Sequence, residues 1–217
     1  MKTKLYLGVI TGVLLVSVAG MASSINSELI VNGGAETGDL SGWGSDGGVV
    51  VVEPDSYAIG HGDYTFTGGF GDYHDYMYQY IDVSDLSLEI DATNILYDFS
   101  AYIQSRGAPI VGDIATIELI FKDSAGQNTG YYKVEDPDVD EYDWDYVNLT
   151  GILPAMTREV QVYAYFDRSS ASSTDAFVDD ISFVLSRSAS VPEPATMFLL
   201  GVGIAGLAGK RIRKNRY

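Results

Sequence analysis

The chain has 217 residues, no cysteine, two histidines and a formal net charge of −17 at pH 7. A chain this acidic is a poor partner for nucleic acid and for anionic membrane surfaces, whereas divalent cations suit it. The lack of cysteine excludes thiol catalysis and thiolate metal sites, and two histidines argue against a His-rich zinc site.

The first 24 residues have the pattern of a secretory signal peptide. Lys2 and Lys4 form a positively charged start, residues 5–18 an apolar centre, and the small residues within 20–24 a cleavage site. The alternative is an uncleaved membrane anchor. Since the C-terminus also ends in an apolar segment followed by basic residues, the middle of the chain is predicted to lie on the far side of the membrane.

Residues 25–187 are predicted to form one domain, which is long enough to bury a hydrophobic core of its own. All 30 acidic residues but only six basic ones lie within residues 24–194, so the net charge of the exported part is near −24. A domain outside the cytoplasm without disulfides must rely on that core, with or without help from a bound metal.

Alternating hydrophobicity predicts antiparallel strands throughout this domain. Within residues 115–123, for example, Ile117, Leu119 and Phe121 fall on one face. Further strands are predicted over residues 49–53, 64–67, 77–83, 94–104, 130–134, 144–149, 159–166 and 176–185. No segment of the domain has a clear helical period. About nine short strands separated by polar turns predict an all-β, jelly-roll β-sandwich.

The domain is rich in tyrosine, with 16 in the chain, several of them in residues 73–80. Tyr76, Tyr78 and Tyr80 alternate along one strand, so they would form a row on one face of a sheet. Aromatic ring faces with polar tips suit sugar rings, which makes this row a candidate glycan-binding surface. Polar side chains predicted beside it are those of Asp75, Gln79 and Gln104. The alternative is that tyrosines fill the core because phenylalanine is scarce.

The start of the domain, residues 29–43, reads Leu-Ile-Val-Asn-Gly-Gly-Ala-Glu-Thr-Gly-Asp-Leu-Ser-Gly-Trp. It resembles the opening of galactose-binding-like β-sandwich domains, a group that includes many carbohydrate-binding modules, although Ala35 stands where these usually have an aromatic residue. Residues 177–183 resemble the closing strand of these domains, and residues 58–64 resemble their second strand. The resemblance implies a jelly-roll sandwich with a glycan-binding or structural role.

The same resemblance implies a structural calcium ion joining the first and last strands, with the Gly34 carbonyl and the Glu36 and Asp179 carboxylates as ligands. The sequence adds an independent reason, because Asp179 shares strand parity with Phe177 and Ile181. A carboxylate on an inward face is costly unless it is paired or bound to metal, and oxygen ligands favour calcium. The alternative is that Asp179 ends a sheet at its solvated rim, with Glu36 in a turn.

A second acidic pattern consists of Asp136, Asp138 and Asp140, spaced like the start of an EF-hand loop. Glu141 occupies the sixth position, where such loops need glycine, and Val147 the twelfth, where they need glutamate. A solvated acidic loop is therefore the simpler interpretation.

Catalysis has little support in the sequence, so we predict a non-catalytic binding or structural protein. Carboxylate pairs occur throughout the domain and single out no general acid or nucleophile. Neither His61 nor His74 lies in a recognisable catalytic motif. The alternative function is a small secreted hydrolase that acts on polysaccharides.

The C-terminus has three parts: Pro192-Glu193-Pro194, an apolar run over residues 196–208, and a basic tail. As a helix, the 15 residues 195–209 would span about 22 Å, against roughly 30 Å for the hydrocarbon core of a bilayer. Such a short, glycine-rich span suits a segment that is held for a time and then removed. The basic residues of the tail are Lys210, Arg211, Arg213, Lys214 and Arg216.

This tail, over residues 191–217, resembles the PEP-CTERM sorting signal of Gram-negative bacteria. The resemblance implies that an exosortase recognises the Pro-Glu-Pro motif, the span and the arginine-rich end, including Arg211 and Arg213. The protein would cross the inner membrane, lose its tail, and pass to the cell surface or an exopolysaccharide matrix. The alternative is a plain C-terminal membrane anchor in which Pro-Glu-Pro serves as a stiff linker.

Overall fold

A computed structural model of the chain describes residues 25–53, 61–70, 73–108, 111–136, 143–169 and 173–188. The predicted signal peptide and sorting tail lie outside these ranges. Within them are a 3₁₀ turn, Ser84–Leu86, the short helix α1, Ser87–Asp91, and eleven strands. The strands are β1 Gly44–Ser45, β2 Val50–Val52, β3 Thr65–Thr67, β4 His74–Asp82, β5 Ile95–Gln104, β6 Arg106–Ala108, β7 Val111–Lys122, β8 Asn128–Glu135, β9 Asp145–Ile152, β10 Glu159–Asp167 and β11 Phe177–Arg187.

The strands form two antiparallel sheets with one hydrophobic core. The six-stranded sheet has the order β1-β4-β10-β7-β6, and β8 also pairs with β7. The five-stranded sheet has the order β2-β3-β11-β5-β9. Consecutive long strands such as β4 and β5, or β10 and β11, therefore lie in different sheets. This arrangement confirms the predicted all-β jelly-roll sandwich.

Phenylalanine, rather than tyrosine, fills the core. The predicted inward row of β7, Ile117, Leu119 and Phe121, is buried. Among the described residues, Tyr97 is the one tyrosine that belongs to the buried core. The alternative in which tyrosines act as core residues therefore fails for the row on β4. The largest fully buried side chains include Phe66, Met77, Phe99, Phe121, Phe166 and Phe183.

The first segment of the domain runs beside its last strand. The Asn26 N–H donates to the Leu185 carbonyl at 2.7 Å, and the Leu29 N–H donates to the Phe183 carbonyl at 3.0 Å. These bonds satisfy backbone groups of a segment that belongs to no named strand. They also place β11 next to the loop that follows, residues 30–36.

The contact between this loop and β11 is formed at a bulge. The β11–β5 register shifts between Asp179 and Ser182, and Asp180 adopts a φ of 47°, in the left-handed region. At the bulge the Ile181 N–H donates to the Gly33 carbonyl at 3.0 Å. A Cβ at Gly33 would lie 1.9 Å from the Ile181 carbonyl oxygen, so this close approach requires glycine. We call this contact the bulge junction.

Candidate functional site

The predicted row of tyrosines on β4 lies on the outward face of the six-stranded sheet. Met77 and Ile81 of the same strand are buried, so the residues between them point away from the core. Tyr76 and Tyr78 are half-buried, and Tyr80 is 48% exposed. The prediction that the three side chains share one sheet face is confirmed.

The neighbouring strand β10 extends this row into a broader aromatic surface. Tyr163 lies opposite Tyr78 in the β10–β4 register, and Tyr165 lies opposite Tyr76. Ring centroids are 4.9 Å apart for Tyr78 and Tyr80, 5.7 Å for Tyr76 and Tyr165, and 5.8 Å for Tyr163 and Tyr165. We call these five residues the tyrosine face.

Hydrogen bonds and burial fix the rings of β10 in place. The hydroxyls of Tyr80 and Tyr163 are 2.7 Å apart. Burial among the other rings raises the pKa of Tyr163, and the hydrogen bond to Tyr80 adds to the rise. Burial likewise raises the pKa of Tyr165, with a further contribution from Glu118. Both phenols therefore stay neutral at physiological pH and can donate or accept hydrogen bonds.

A groove of 430 Å³ opens at one end of the tyrosine face. Its walls combine aromatic rings with charged groups at hydrogen-bonding distance from one another. His74 Nδ1 lies 2.7 Å from Asp167, and the Tyr131 hydroxyl donates to Glu118 at 2.6 Å. Lys133, which also lines the groove, forms an ion pair with Glu135. The residues lining it include His74, Tyr76, Glu118, Lys133, Tyr165 and Asp167.

A larger depression, of 730 Å³, lies at the end of the domain where the Asp123–Gly126 turn meets β4 and β10. Its lining contains the charged residues Asp82, Lys122 and Arg158 and no aromatic ring among the described residues. It lacks the flat apolar surface on which a sugar ring could stack. The groove beside the tyrosine face is therefore the better candidate for a glycan.

The polar residues expected beside the tyrosines do not lie there. Asp75 and Gln79 are 2% and 7% exposed because alternate residues of β4 face inward. The Gln79 side chain bonds to both backbone groups of Val31. Gln104, 0% exposed, accepts hydrogen bonds from the Arg106 guanidinium. This prediction was wrong, and the groove instead draws its polar groups from His74 at the start of β4 and from β7, β8 and β10.

Asp179 is buried at the bulge junction, but it does not lie on the inward face of β11 that its strand parity predicts. It lies opposite Tyr102 in the β11–β5 register, whereas its neighbour Val178 lies opposite the buried Ile103. That prediction was wrong because the bulge after Asp179 shifts the alternation, so that Asp179 and Ile181 do not share a face.

Asp179 is 1% exposed, and its Oδ1 accepts the Asp180 N–H at 2.8 Å. Among the described residues, its Oδ2 has no hydrogen-bond partner. Burial raises the pKa of Asp179 to about 8, helped by the negative charges of Asp180 and Glu36. An orphaned, buried carboxylate oxygen is what a bound cation would satisfy.

The other two predicted calcium ligands lie next to Asp179. A Cβ at Gly34 would be 3.1 Å from Asp180 Oδ1 and 3.7 Å from Asp179 Oδ1, so the backbone here passes close to both carboxylates. Glu36 Oε1 accepts the Asp63 N–H at 3.0 Å. Gly62, at a φ of 130°, permits this approach, because a Cβ there would lie 2.0 Å from Glu36 Oε1.

Two further groups at this junction were not predicted as ligands. Asp180 points its carboxylate toward the Gly34 backbone, and its Oδ2 lies 3.1 Å from His61 Nδ1. Its left-handed φ results from the bulge, which sequence alternation alone does not reveal. His61 had no motif around it, and only the approach of residues 61–64 to the junction brings it close to Asp180.

These residues fit a calcium ion in their chemistry. Within the described ranges, no three His, Asp or Glu side chains converge as a ready-formed metal cluster. Calcium, however, also takes backbone carbonyls, and the Gly34 backbone passes close to the Asp179 and Asp180 carboxylates. The second acidic pattern, Asp136, Asp138 and Asp140, cannot be compared with this site. Asp136 is buried, and Asp138 and Asp140 lie outside the described residues.

The sorting residues Pro192, Glu193, Pro194, Arg211 and Arg213 also lie outside the described residues. None of the helices in the described ranges has the length and apolar character needed to cross a membrane.

Comparisons with known proteins give one match for the C-terminal tail and different matches for the β-sandwich domain. Residues 190–214 match the family of the PEP-CTERM protein-sorting motif. No curated protein matches the chain. Structural similarity, in contrast, concerns the sandwich. TmCBM61, solved in complex with β-1,4-galactotriose, is 17% identical with a TM-score of 0.52, and the match covers 75% of this chain and 99% of that one.

Two other solved structures have a similar fold. Family 16 Carbohydrate Binding Module-2 is 21% identical with a TM-score of 0.51, over 72% of this chain and 99% of that one. The enzymatically active domain of tailspike protein 4 from bacteriophage CBA120 is 12% identical with a TM-score of 0.54. That match covers 73% of this chain and 21% of the tailspike chain. Identities this low establish the fold alone. The chain thus carries the predicted PEP-CTERM protein-sorting motif, on a domain with the fold of carbohydrate-binding modules.

Proposed function

We propose that this protein is exported, processed at its tail by an exosortase, and delivered to the cell surface or extracellular matrix, where its tyrosine face binds a glycan. The observation that carries the proposal is the set of five tyrosines on the outward side of β4 and β10. The sorting motif at residues 190–214 supports the route.

The tyrosine face has the chemistry that recognises sugars. A pyranose ring presents apolar C–H groups on its faces and hydroxyls around its edge. Ring faces of Tyr76, Tyr78 and Tyr165 can cover the apolar side, while phenolic hydroxyls reach the edge. Groups at the rim of the groove, including Glu118 and Asp167, can then fix the orientation of the hydroxyls. The carbohydrate-binding modules with this fold support the same interpretation.

Charge narrows the class of glycan. The exported part carries 30 acidic and six basic residues, and Lys133 in the groove is already paired with Glu135. A polyuronate would meet this negative field on approach and find no unneutralised lysine in the groove. The face therefore favours a neutral or amine-bearing polysaccharide.

We further propose a structural role for calcium at the bulge junction. Bound there, calcium would neutralise the buried Asp179 and tie the opening loop to the last strand. Gly34, Glu36 and Asp179 would hold it, and Asp180 is positioned to join them. This site lies on the five-stranded sheet, so it would stabilise the scaffold without contacting a sugar on the tyrosine face.

Binding is favoured over hydrolysis because the carboxylates of the groove already have hydrogen-bond partners. Asp167 is paired with His74, and Glu118 accepts the Tyr131 hydroxyl. No specific feature of the groove favours a hydrolase.

The binding half is tested by polysaccharide pull-down and isothermal titration against β-1,4-galactan, xylan, cellulose, chitin and a polyuronate. The variant Tyr76→Ala/Tyr78→Ala should lose at least 10-fold in affinity, since stacked aromatic groups dominate such sites. The matched control, Tyr76→Phe/Tyr78→Phe, keeps the ring faces and should retain most of the binding. Unchanged affinity in the alanine variant would overturn the assignment of the tyrosine face.

The sorting half is tested by intact mass measurement of the protein recovered from the cell surface and medium of an exosortase-bearing host. We expect a mass that lacks the signal peptide and the residues after the Pro-Glu-Pro motif. Replacing Pro192, Glu193 and Pro194 by alanine should leave the uncleaved form in the inner membrane. A full-length mass at the surface would contradict processing.

A further inference from the structure

A second aromatic surface lies on the opposite side of the sandwich, on the outward face of the five-stranded sheet. It consists of His61, Tyr102, Trp144 and Tyr146, which we call the aromatic platform. The His61 ring lies 4.0 Å from Tyr102 and 4.9 Å from Trp144, measured between centroids. Tyr102 and Tyr146 lie 5.0 Å apart. Each ring therefore contacts at least one other, and together they form a continuous patch.

The platform belongs to the surface rather than to the core. Tyr102 of β5 and Tyr146 of β9 are register partners, and the flanking Ala101, Ile103 and Val147 are buried. Because alternate residues of a strand face opposite sides, the two tyrosines point outward. Tyr146 is 57% exposed. A large aromatic side chain this exposed does not contribute its area to folding, which leaves it available for a partner.

The two tryptophans of the chain show the difference between a structural and an available ring. Trp43 is 8% exposed, packs edge-on against Phe66, and donates its indole N–H to the Asn32 carbonyl at 3.1 Å. Trp144 is partly exposed as a whole residue, although its indole nitrogen is buried, and its N–H has no acceptor in the described part of the chain. No hydrogen bond therefore anchors Trp144 as a core residue.

The part of this outward face next to Tyr146 is hydrophilic, which identifies the class of partner. Next to Tyr146 along β9 come Asn148 and Thr150, and Asn148 pairs with Ser100 of β5. The Asn148 amide donates to the Asp98 carboxylate at 2.9 Å, which fixes its orientation. Aromatic rings bordered by amide, hydroxyl and carboxylate groups match the apolar faces and hydroxyl edges of a sugar. An apolar helix from a protein partner would leave these polar groups unsatisfied.

We infer that the aromatic platform is a second glycan-binding surface, with Trp144 and Tyr146 as its stacking residues and a neutral or amine-bearing polysaccharide as its ligand. The platform and the tyrosine face lie on the two outer sides of the sandwich. One domain can therefore hold two glycan strands and cross-link them. The cross-linking part rests on the proposed function of the tyrosine face, whereas binding at the platform does not.

Fluorine NMR tests the platform directly, because the chain has two tryptophans and the tyrosine face has none. The full chain is labelled with 5-fluorotryptophan, kept in calcium and mild detergent, and titrated with soluble oligosaccharides of β-1,4-galactan, xylan, cellulose and chitin. The Trp144 resonance should shift on saturation and the Trp43 resonance should not. The shift should persist in Tyr76→Ala/Tyr78→Ala, which removes the other face.

The outcomes separate the two assignments. A chain that binds sugar while its Trp144 resonance stays fixed would overturn the platform and leave the tyrosine face intact. A Trp144 shift that disappears in Tyr76→Ala/Tyr78→Ala would also overturn it, because the second surface would not be independent. No binding of any oligosaccharide would overturn both assignments.

Cross-linking is measured as the turbidity and sedimentation of the long polysaccharide whose oligosaccharides bind in that titration. The wild type should cross-link it, and Trp144→Ala/Tyr146→Ala should still bind but lose at least 10-fold in turbidity. Ile152→Ala is the matched control, since Ile152 is 55% exposed on the same strand but away from the rings. Wild-type turbidity in the platform variant would overturn the inference.

Discussion

The tyrosine face and the bulge junction are built on opposite principles. The tyrosine face repeats one residue type at every second position of two neighbouring strands, with all rings on the outer surface. The bulge junction brings a loop, a bulge and a buried carboxylate together from distant parts of the chain. The junction contains backbone hydrogen bonds and a buried carboxylate within the packed domain, whereas the rings of the face lie outside the core. We therefore expect changes at the junction to act on stability and changes at the face to act on binding.

The largest effect is expected from Gly33→Ala. The added Cβ would lie 1.9 Å from the Ile181 carbonyl oxygen, and both atoms belong to the rigid junction. Displacing backbone in a packed region costs about 1–3 kcal/mol or more. Urea unfolding should show this loss, and Gly126→Ala serves as the control for an exposed turn glycine with a positive φ. A loss at Gly33 no larger than the loss that backbone strain causes at Gly126 would mean that the added Cβ meets little resistance at the junction.

The next largest effect is expected from calcium. Saturating calcium at about 100 times its Kd should raise the free energy of unfolding by about 2.7 kcal/mol, because it binds the native state alone. Thermal unfolding with calcium and with chelator measures the shift. Asp179→Asn should abolish it, and Asp123→Asn, in an exposed turn, should not. A calcium shift that survives Asp179→Asn would place the ion elsewhere.

The pKa of Asp179 adds a pH dependence to the calcium-free protein. Its pKa of about 8, against an ordinary 3.8, means that the native state keeps a proton that the unfolded chain has already released. Stability in chelator should therefore fall as the pH rises from about 4 to about 8. Asp179→Asn should flatten this part of the stability profile, since an amide does not titrate. Urea unfolding across this pH range measures the difference.

A smaller effect on stability is expected at the tyrosine face. Cross-strand aromatic pairs contribute about 0.2–1 kcal/mol each, so Tyr76→Ala/Tyr78→Ala should lower the free energy of unfolding far less than Gly33→Ala does. The measurement is urea unfolding of the same protein used for glycan binding. A loss as large as that of the junction variant would mean that the rings support the fold.

The smallest effect is expected from Tyr80→Phe. This substitution removes the hydrogen bond between the hydroxyls of Tyr80 and Tyr163 at the surface. It should lower the free energy of unfolding by about 0.5–1 kcal/mol. The spectrophotometric titration of tyrosine should show the Tyr163 pKa lowered, because that hydrogen bond helps to raise it. An unchanged pKa would show that burial alone accounts for the rise.

Alternation of apolar and polar residues predicts which side chains of a regular strand share one face of its sheet. The apolar rows of β7 and β10 and the common face of Tyr76, Tyr78 and Tyr80 follow from this alternation. The inward face that it predicts for Asp179 is wrong, because the bulge after this residue shifts the alternation of β11. The strands β1 and β6 were missed because two or three residues show no period. The expectation of helix-free structure also missed α1, whose five residues cover little more than one turn.

The sites were harder to predict than the strands, because they combine distant segments. The prediction that Gln79 lies beside the tyrosines was wrong. Gln79 directly follows Tyr78, and consecutive residues of a strand point to opposite faces of the sheet. Asp180 was missed because its orientation depends on a bulge. The aromatic platform joins His61, Tyr102 and Trp144 from three separate segments. They meet because β5 pairs with β9 and because residues 61–64 approach the bulge junction, and neither contact can be read from the sequence.

The central position of β11 has a mechanical consequence. This strand pairs with β3 on one side and along nine positions with β5 on the other, and the opening segment also bonds to it. A load applied along the chain beyond Arg187 would pull on β11 lengthwise and strain all these hydrogen bonds at once. Loading in shear resists rupture far better than peeling a strand from an edge. A domain tethered through its last strand is therefore well suited to bear tension.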